Sequence, residues 1–323
     1  VQTCALPICI KEQPEMSVEK HYTKLNIERY GGMIPETWFD RPLSVAGRII
    51  IEENGQIKDQ LVNIDRDLMI IPNLAIHMSR SSNESKQLNP QKDLLPLCGG
   101  NLTKDGFEEM IAKESGVEKE DILSYDLFLY NRMRGTTLGI NEEFVAAPKL
   151  DDLECAYSSI EGMLNAKLSK DYVTVCAVFD NEEVGSGTKQ GAGSTFFPEV
   201  LKRISYLCGK NEEEYYMAVA DSFMLSADNA HAVHPNYQDK TDPTNRPYIN
   251  EGIVLKYNAS QKYTTDANSA ALVKYLCKKE KIKCQVFFNR SDMLGGSTLG
   301  NILTGQVSIK AADIGLPQLS MQI

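Results

Sequence analysis

The chain has 323 residues, enough for about two domains. Its 34 Lys+Arg against 44 Asp+Glu give a net charge of −10, which argues against nucleic acid or an anionic membrane as main partner, since both need a basic face. With 42% hydrophobic and 24% charged residues the composition is globular, and no apolar run approaches the ~18 residues that cross a bilayer.

The eight cysteines are scattered and form no C-x-x-C pair, which fits reduced thiols in a reducing cytosol better than a disulfide framework or structural zinc. The chain opens on Val1 with neither the basic start nor the long apolar core of a signal peptide, and it stops at Ile323 without a polar tail. Both ends read as cut.

In chain order, residues 16–30 alternate loosely up to the turn signal Gly31-Gly32. Short β-like runs follow at Gly47–Ile51, Gln60–Ile64 and Leu68–Ile71, broken by turns such as Asn54-Gly55. Residues 79–104 read as an exposed loop, 106–114 and 117–123 as helical, and Leu127–Tyr130 as a strand. After Pro148 the pattern changes: Leu153–Leu168 has helical spacing, and Val173–Phe179 has the β-branched composition of a buried strand. Asn211–Ser226 reads as helix, Ile253–Tyr257 and Gln285–Phe288 as strands, with a helix over Thr265–Lys278. Alternating strand and helix predict an α/β domain with a mixed sheet, residues 1–30 and 145–323, interrupted by a β-rich module at 31–144.

Three acidic clusters sit just after predicted strands or at helix edges, where open α/β sheets gather ligands. The first is Asp151-Asp152, which reads either as an N-cap pair or as a carboxylate bridging two metals with its neighbour steadying the turn. The second, Asp180-Asn181-Glu182-Glu183, packs three carboxylates whose repulsion a cation would relieve, followed by Gly185 and Gly187. A solvated acidic turn is its bland reading. The third, Asp228 to Tyr237, sets His231 and His234 beside an Asp in a Pro-terminated turn. A fourth element, Arg290–Gly300, carries Gly295-Gly296 and reads equally as a ligand-facing loop or a tight turn. The sequence has no H-E-x-x-H, no P-loop and no G-x-S-x-G elbow. Asp151, Glu182, Glu183, Asp228 and a nearby His together suit a dinuclear metal site with one Glu free to shuttle a proton, equipment for amide hydrolysis.

These residues resemble the aspartyl aminopeptidase family of di-zinc aminopeptidases. The motifs are Tyr30-Gly31-Gly32, Thr37–Arg41, Ile71–His77, Leu150–Leu153, Asp180–Ser186, Asp228–Tyr237 and Gly315–Leu319. The resemblance implies that Asp151 bridges two zinc ions (Co or Mn as alternatives), with Glu183 and Asp228 as terminal ligands and Glu182 as general base. It places Asp152 where the clan often has a cis peptide, with Asp180 in the shell behind the ligands. It further implies that Gly295 and Gly296 line the pocket and that Lys256 lies near the substrate side chain, where it would suit an acidic N-terminal residue by charge or equally form a structural pair. His234 is implied to reach the substrate of a neighbouring subunit, and His77 a neighbouring active site.

By the same resemblance the β-rich module makes dimer contacts in a cytoplasmic homo-oligomer, typically a dodecamer built from dimers, acting on short peptides with acidic or neutral N-terminal residues. Two departures stand out. Where the family has His-x-Asp-x-Pro, this chain reads Gln2-Thr3-Cys4-Ala5-Leu6, and where a second His follows Pro-Gln-Leu-x-Met it has Gln322. Each metal is therefore expected to lose its histidine and the chain to be weak or inactive. Two other readings remain: an N-acyl amide hydrolase of the same clan, and a catalytically impaired assembly protein.

Overall fold

The computed structural model describes residues 1–2, 7–79, 87–100, 105–167 and 169–321. The chain divides into two compact units, one of residues 6–148 and one of residues 1–5 with 149–322.

The first unit is built on a six-stranded sheet. Its strands are β1 (Ile8–Val18), β2 (Tyr22–Arg29), β3 (Leu43–Glu53), β4 (Gln56–Asn63), β5 (Leu97–Gly99) and β6 (Ile122–Asn131), in the order β4-β3-β6-β1-β2-β5 with every pairing antiparallel. Alternation marks its inner face: Ile8, Leu25, Leu43, Ile49, Leu127 and Leu129 are fully buried, and most of their strand neighbours are less so. Asn54 (φ +54°) and Gly55 (φ +74°) close the β3–β4 hairpin as an Asn-Gly turn should. A short helix α1 (Pro90–Asp93) and α2 (Gly106–Ser115) complete it, α2 burying Phe107 and Ile111 and ending at Gly116. A two-stranded hairpin, β7 (Thr136–Leu138) with β8 (Phe144–Ala146), stands apart from the sheet.

This unit starts at residue 6, not at the expected residue 31, because β1 and β2 hydrogen-bond into the same sheet through β6 and β5. Within 117–123 only a 3-10 turn at Lys119–Asp121 forms before β6 begins. Leu68–Ile71 makes isolated bridges to Leu43, Leu97 and Phe39 rather than a strand. The predicted loop 79–104 holds α1, β5 and the buried Leu94 and Leu95, and its residues 80–86 and 101–104 lie outside the described residues.

The second unit has a four-stranded mixed sheet. Its elements are α3 (Leu150–Asn165), α4 (Phe196–Leu207), α5 (Glu212–Asp221), β9 (Phe223–Ala227), β10 (Ala230–His231), β11 (Ile253–Tyr257), α6 (Ala267–Glu280), β12 (Cys284–Phe288), α7 (Leu299–Thr304), β13 (Lys310–Gly315) and β14 (Pro317–Gln318). The order is β12-β11-β13-β9, with β11 antiparallel to β13 and the other two pairings parallel. Capping boxes open α5 at Asn211 and α6 at Asp266. Leu255, Ala270, Val273 and Ala312 form the core between α6 and the sheet.

Two sequence expectations change here. Helix α5 stops at Asp221, and Phe223–Ala227 is a strand because its apolar run finds β13 as a ladder partner. Val173–Phe179 is not a strand: its one described pairing is the Gln2–Phe179 bridge, with Phe179 N–H donating to Val1 O at 2.9 Å, and Val173, Val175 and Val178 are exposed. Strand composition needs a neighbour to exchange hydrogen bonds. Among the described residues no helix is long and apolar enough to cross a membrane.

Candidate metal centre

Asp151 and Asp152 open α3, but not as caps. Their backbone is non-helical, the peptide bond between them is cis, and Lys149 before them has φ +64°. This turn draws the carboxylates away from the helix N–H groups and toward the loop after β9. There Asp151, Asp152 and Asp228 each bring an oxygen within 4.8 Å of the other two. Asp152 is completely buried, and neither its two oxygens nor Asp151 Oδ1 has a hydrogen-bond partner.

The electrostatics follow from that crowding. Burial pushes Asp151 up to about 7, with the Asp228 charge adding and Lys256 opposing. Burial likewise pushes Asp152 up to about 8, again with Asp228 adding. Glu182 also contributes repulsion at Asp151, so it lies within electrostatic reach of the cluster. Orphaned, converging carboxylate oxygens are the donor set of a divalent cation, and oxygen ligands accept zinc as well as manganese. The residues present fit such an ion.

Asp228 is held from behind. Lys256, on β11 and fully buried, donates from Nζ to Asp228 Oδ2 (2.9 Å), Asp228 O (2.8 Å) and Asn229 O (2.9 Å). Burial alone would lower the pKa of this ammonium; Asp228, with Tyr263 and Asp313 behind it, reverses that and raises it. All three N–H bonds are made inside the protein, where they shape the Asp228 turn. Gly315 permits the close approach of β13 to that turn, since a Cβ there would lie 2.0 Å from Asp228 O. Asn229 completes it, its amide donating to Leu150 O (3.1 Å) while its Oδ1 accepts from Leu316 N–H and the Cys155 thiol (both 3.2 Å). Asn229 thus ties the Asp228 turn to the start of α3.

Glu182 and Glu183 are half-buried on a 3-10 turn flanked by left-handed Asn181 and Gly185. The loop is braced by Asp180 Oδ1 accepting from Asn181 N–H (2.8 Å) and by Thr188 Oγ1 donating to Asn181 Oδ1 (2.9 Å). Gln2, at the place where the resemblance puts a histidine, is buried and donates to Ser186 Oγ (2.9 Å) and Asp180 O (2.7 Å). Thr3–Leu6 and Gln322, in the two departures from the family pattern, lie outside the described residues.

His234 accepts from Asn236 N–H at Nδ1 (3.2 Å) and leans on Tyr237. His77 lies exposed on a short turn of the other unit. Gly295 O accepts from Lys262 Nζ (2.7 Å), while Gly296 has open space about it. Two residues escaped the sequence reading. His231, noticed in its cluster but given no role, lies within electrostatic reach of Lys256 and Asp228. Asp313, directly across the ladder from Lys256, is completely buried and accepts from Thr264 N–H (2.5 Å), Thr264 Oγ1 (2.8 Å) and Thr298 Oγ1 (2.7 Å). A lone charge in the apolar run Ala311–Gly315 was its only signal.

Comparison with known proteins agrees with this architecture. A "probable M18 family aminopeptidase 2" of Clostridium acetobutylicum is 47% identical over 97% of this chain and 73% of its own length. One of Pseudomonas aeruginosa is 36% identical over the same shares. Among solved structures, that of the Ape4 and Nbr1 complex superimposes with a TM-score of 0.92 at 35% identity, covering 99% of this chain and 66% of that one. The dodecamer of S. cerevisiae mApe1 gives 0.82 at 27% identity, covering 99% and 73%. The profile of the Aminopeptidase I zinc metalloprotease family, M18, matches residues 2–322, and the chain belongs to that family of metallo-aminopeptidases.

Proposed function

We propose that this chain supplies the hydrolytic centre of an aminopeptidase that removes N-terminal residues from short peptides. The observation that carries this reading is the convergence of Asp151, Asp152 and Asp228 with three orphaned oxygens beside Glu182. Asp151 would bridge two zinc ions, cobalt or manganese being alternatives, with Asp228 and Glu183 as terminal ligands. When bound, the metal polarises the peptide carbonyl and acidifies water. Glu182 holds the attacking water, accepts its proton and passes it to the leaving amine. Asp180 braces the loop that carries Glu182 and Glu183, and Gly295 and Gly296 offer side-chain-free backbone to the substrate.

The assembly is a homo-oligomer, a dodecamer built from dimers like the mApe1 particle, with the β-rich unit making dimer contacts. His234 and His77 reach a neighbouring subunit's substrate. The net charge of −10 and the absence of a membrane-crossing helix among the described residues suit a cytoplasmic enzyme without nucleic-acid or membrane partners.

The test is hydrolysis of Asp-, Glu- and Leu-anilides with added zinc or cobalt, beside a Glu182→Gln control and N-acetylated versions of each substrate. With Gln2 and Gln322 where the family pattern has histidines, weak turnover of free-amino substrates that vanishes in the control is the expected result. Turnover confined to the N-acetylated set would replace the aminopeptidase with an acyl-amide hydrolase, and none on either would leave an assembly protein.

A further inference from the structure

Two cysteines of the second unit meet in its core although they form no C-x-x-C pair. Helix α6 ends at Glu280, and Lys281, with φ +58°, turns the chain back so that Ile282 N–H donates to Cys277 O (2.8 Å). Strand β12 then begins at Cys284, opposite Ile253 on β11. Cys277 is buried with Leu255, Ala270, Val273 and Ala312, Cys284 packs half-buried against the same core, and the two thiols share a hydrogen bond. The exposed residues between them, Lys278-Lys279-Glu280-Lys281-Ile282-Lys283, set four lysines against one glutamate in a chain whose net charge is −10.

We infer that Cys277 and Cys284 are a redox-active dithiol, which a small anionic disulfide such as oxidised glutathione converts to an internal disulfide. The Cys284 thiolate, the less buried of the two, attacks one sulfur of the glutathione disulfide; that S–S bond breaks and one glutathione leaves as its thiolate. Cys277, deprotonated in turn, attacks Cys284 Sγ and expels the second glutathione. Two protein thiols are oxidised, one small disulfide is reduced, and the two protons end on the two glutathione thiols. Thiols already in contact need little rearrangement to reach bonding distance. Burial raises Cys284 to about 11, with Cys277 adding and Lys274 opposing, so exchange at neutral pH is slow. The lysine-rich turn draws an anionic oxidant toward it. Among the described residues β12 pairs with β11 alone, at the edge of its sheet. A cross-link from its first residue to α6 therefore clamps an edge otherwise held on one side. The clamp lies at the entry to β12, at the opposite end from the Arg290–Gly300 loop that follows the strand.

The experiment equilibrates the full chain in glutathione buffers of rising oxidised fraction, quenches in acid, and reads intact mass, peptide maps and thermal melting. Wild type is expected to lose two hydrogens and yield a linked Cys277–Cys284 peptide, which mapping separates from adducts on the exposed Cys208. The oxidised form should melt several degrees higher, and dithiothreitol should restore the starting mass and melt. Cys277→Ser should stop at one glutathione on Cys284, and Cys284→Ser should form no link at Cys277. Oxidation should be faster with oxidised glutathione than with neutral hydroxyethyl disulfide, by a margin that shrinks at high salt. Two free thiols in fully oxidising buffer, a glutathione adduct without the link in wild type, or a linked form that melts no higher than the reduced one would each overturn the inference. A margin indifferent to salt would overturn the choice of an anionic oxidant.

Discussion

Lys256→Met separates two roles for a fully buried charge of the unit. Methionine keeps the length of the side chain and removes the ammonium, leaving Asp228 Oδ2 and the carbonyls of Asp228 and Asn229 without their donor. Breaking a buried ion pair by deleting one partner costs about 3–5 kcal/mol, and each orphaned carbonyl adds about 1 kcal/mol or more. A total of about 5 kcal/mol corresponds to a melting drop of roughly 10–20 °C for a unit of this size. Circular dichroism melts of the metal-free protein read it directly. If Lys256 instead serves the substrate, the variant will melt within about 2 °C of wild type and lose only turnover of acidic N-terminal residues; that pattern would refute the structural assignment.

Other outcomes follow from the same geometry. Gly315→Ala places a Cβ 2.0 Å from Asp228 O, so β13 or the Asp228 turn must shift, and metal affinity measured by dialysis should fall together with the melting temperature. Asp313→Ala removes the acceptor shared by Thr264 and Thr298; a loss of about 3 kcal/mol and faster proteolytic cleavage near Gly295–Thr298 are expected, whereas unchanged cleavage would mean the loop is held elsewhere. Thiol alkylation at pH 8, followed by peptide mass spectrometry, should label the exposed Cys208 first. Cys98, pushed up to about 11 by burial and by Glu15, carries on the order of 100-fold less thiolate at that pH than an unperturbed thiol. It should react only as pH rises toward 11 or the protein unfolds.

Much of this was legible because the relevant signals are local. Alternation with an Asn-Gly turn foretold the β3–β4 hairpin, and the 3.6-residue spacing foretold α2, α3 and α6. The acidic clusters were conspicuous because like charges in apolar surroundings need a reason. What was hidden depends on partners distant in sequence. Phe223–Ala227 is a strand because β13, some 85 residues on, pairs with it, and among the described residues Val173–Phe179 finds such a partner only at Phe179. Residues 8–29 looked like part of the α/β domain until their ladder with β6 placed them in the β-rich unit. Sequence left Lys256 open between a substrate contact and a structural pair, and its three internal acceptors show what it holds. Asp151-Asp152 read equally as a cap pair or as part of a metal turn, and only the folded chain brings them to Asp228.

The central claim is that Asp151 and Asp228 belong to a metal centre. Equilibrium dialysis of the chelator-stripped chain against Zn2+, with elemental analysis of wild type beside an Asp151→Asn, Asp228→Asn double variant, tests it most directly. The account predicts bound zinc in wild type and its loss in the double variant, with a higher melting temperature only where metal is bound. Equal zinc in both proteins, or none in wild type, would contradict it.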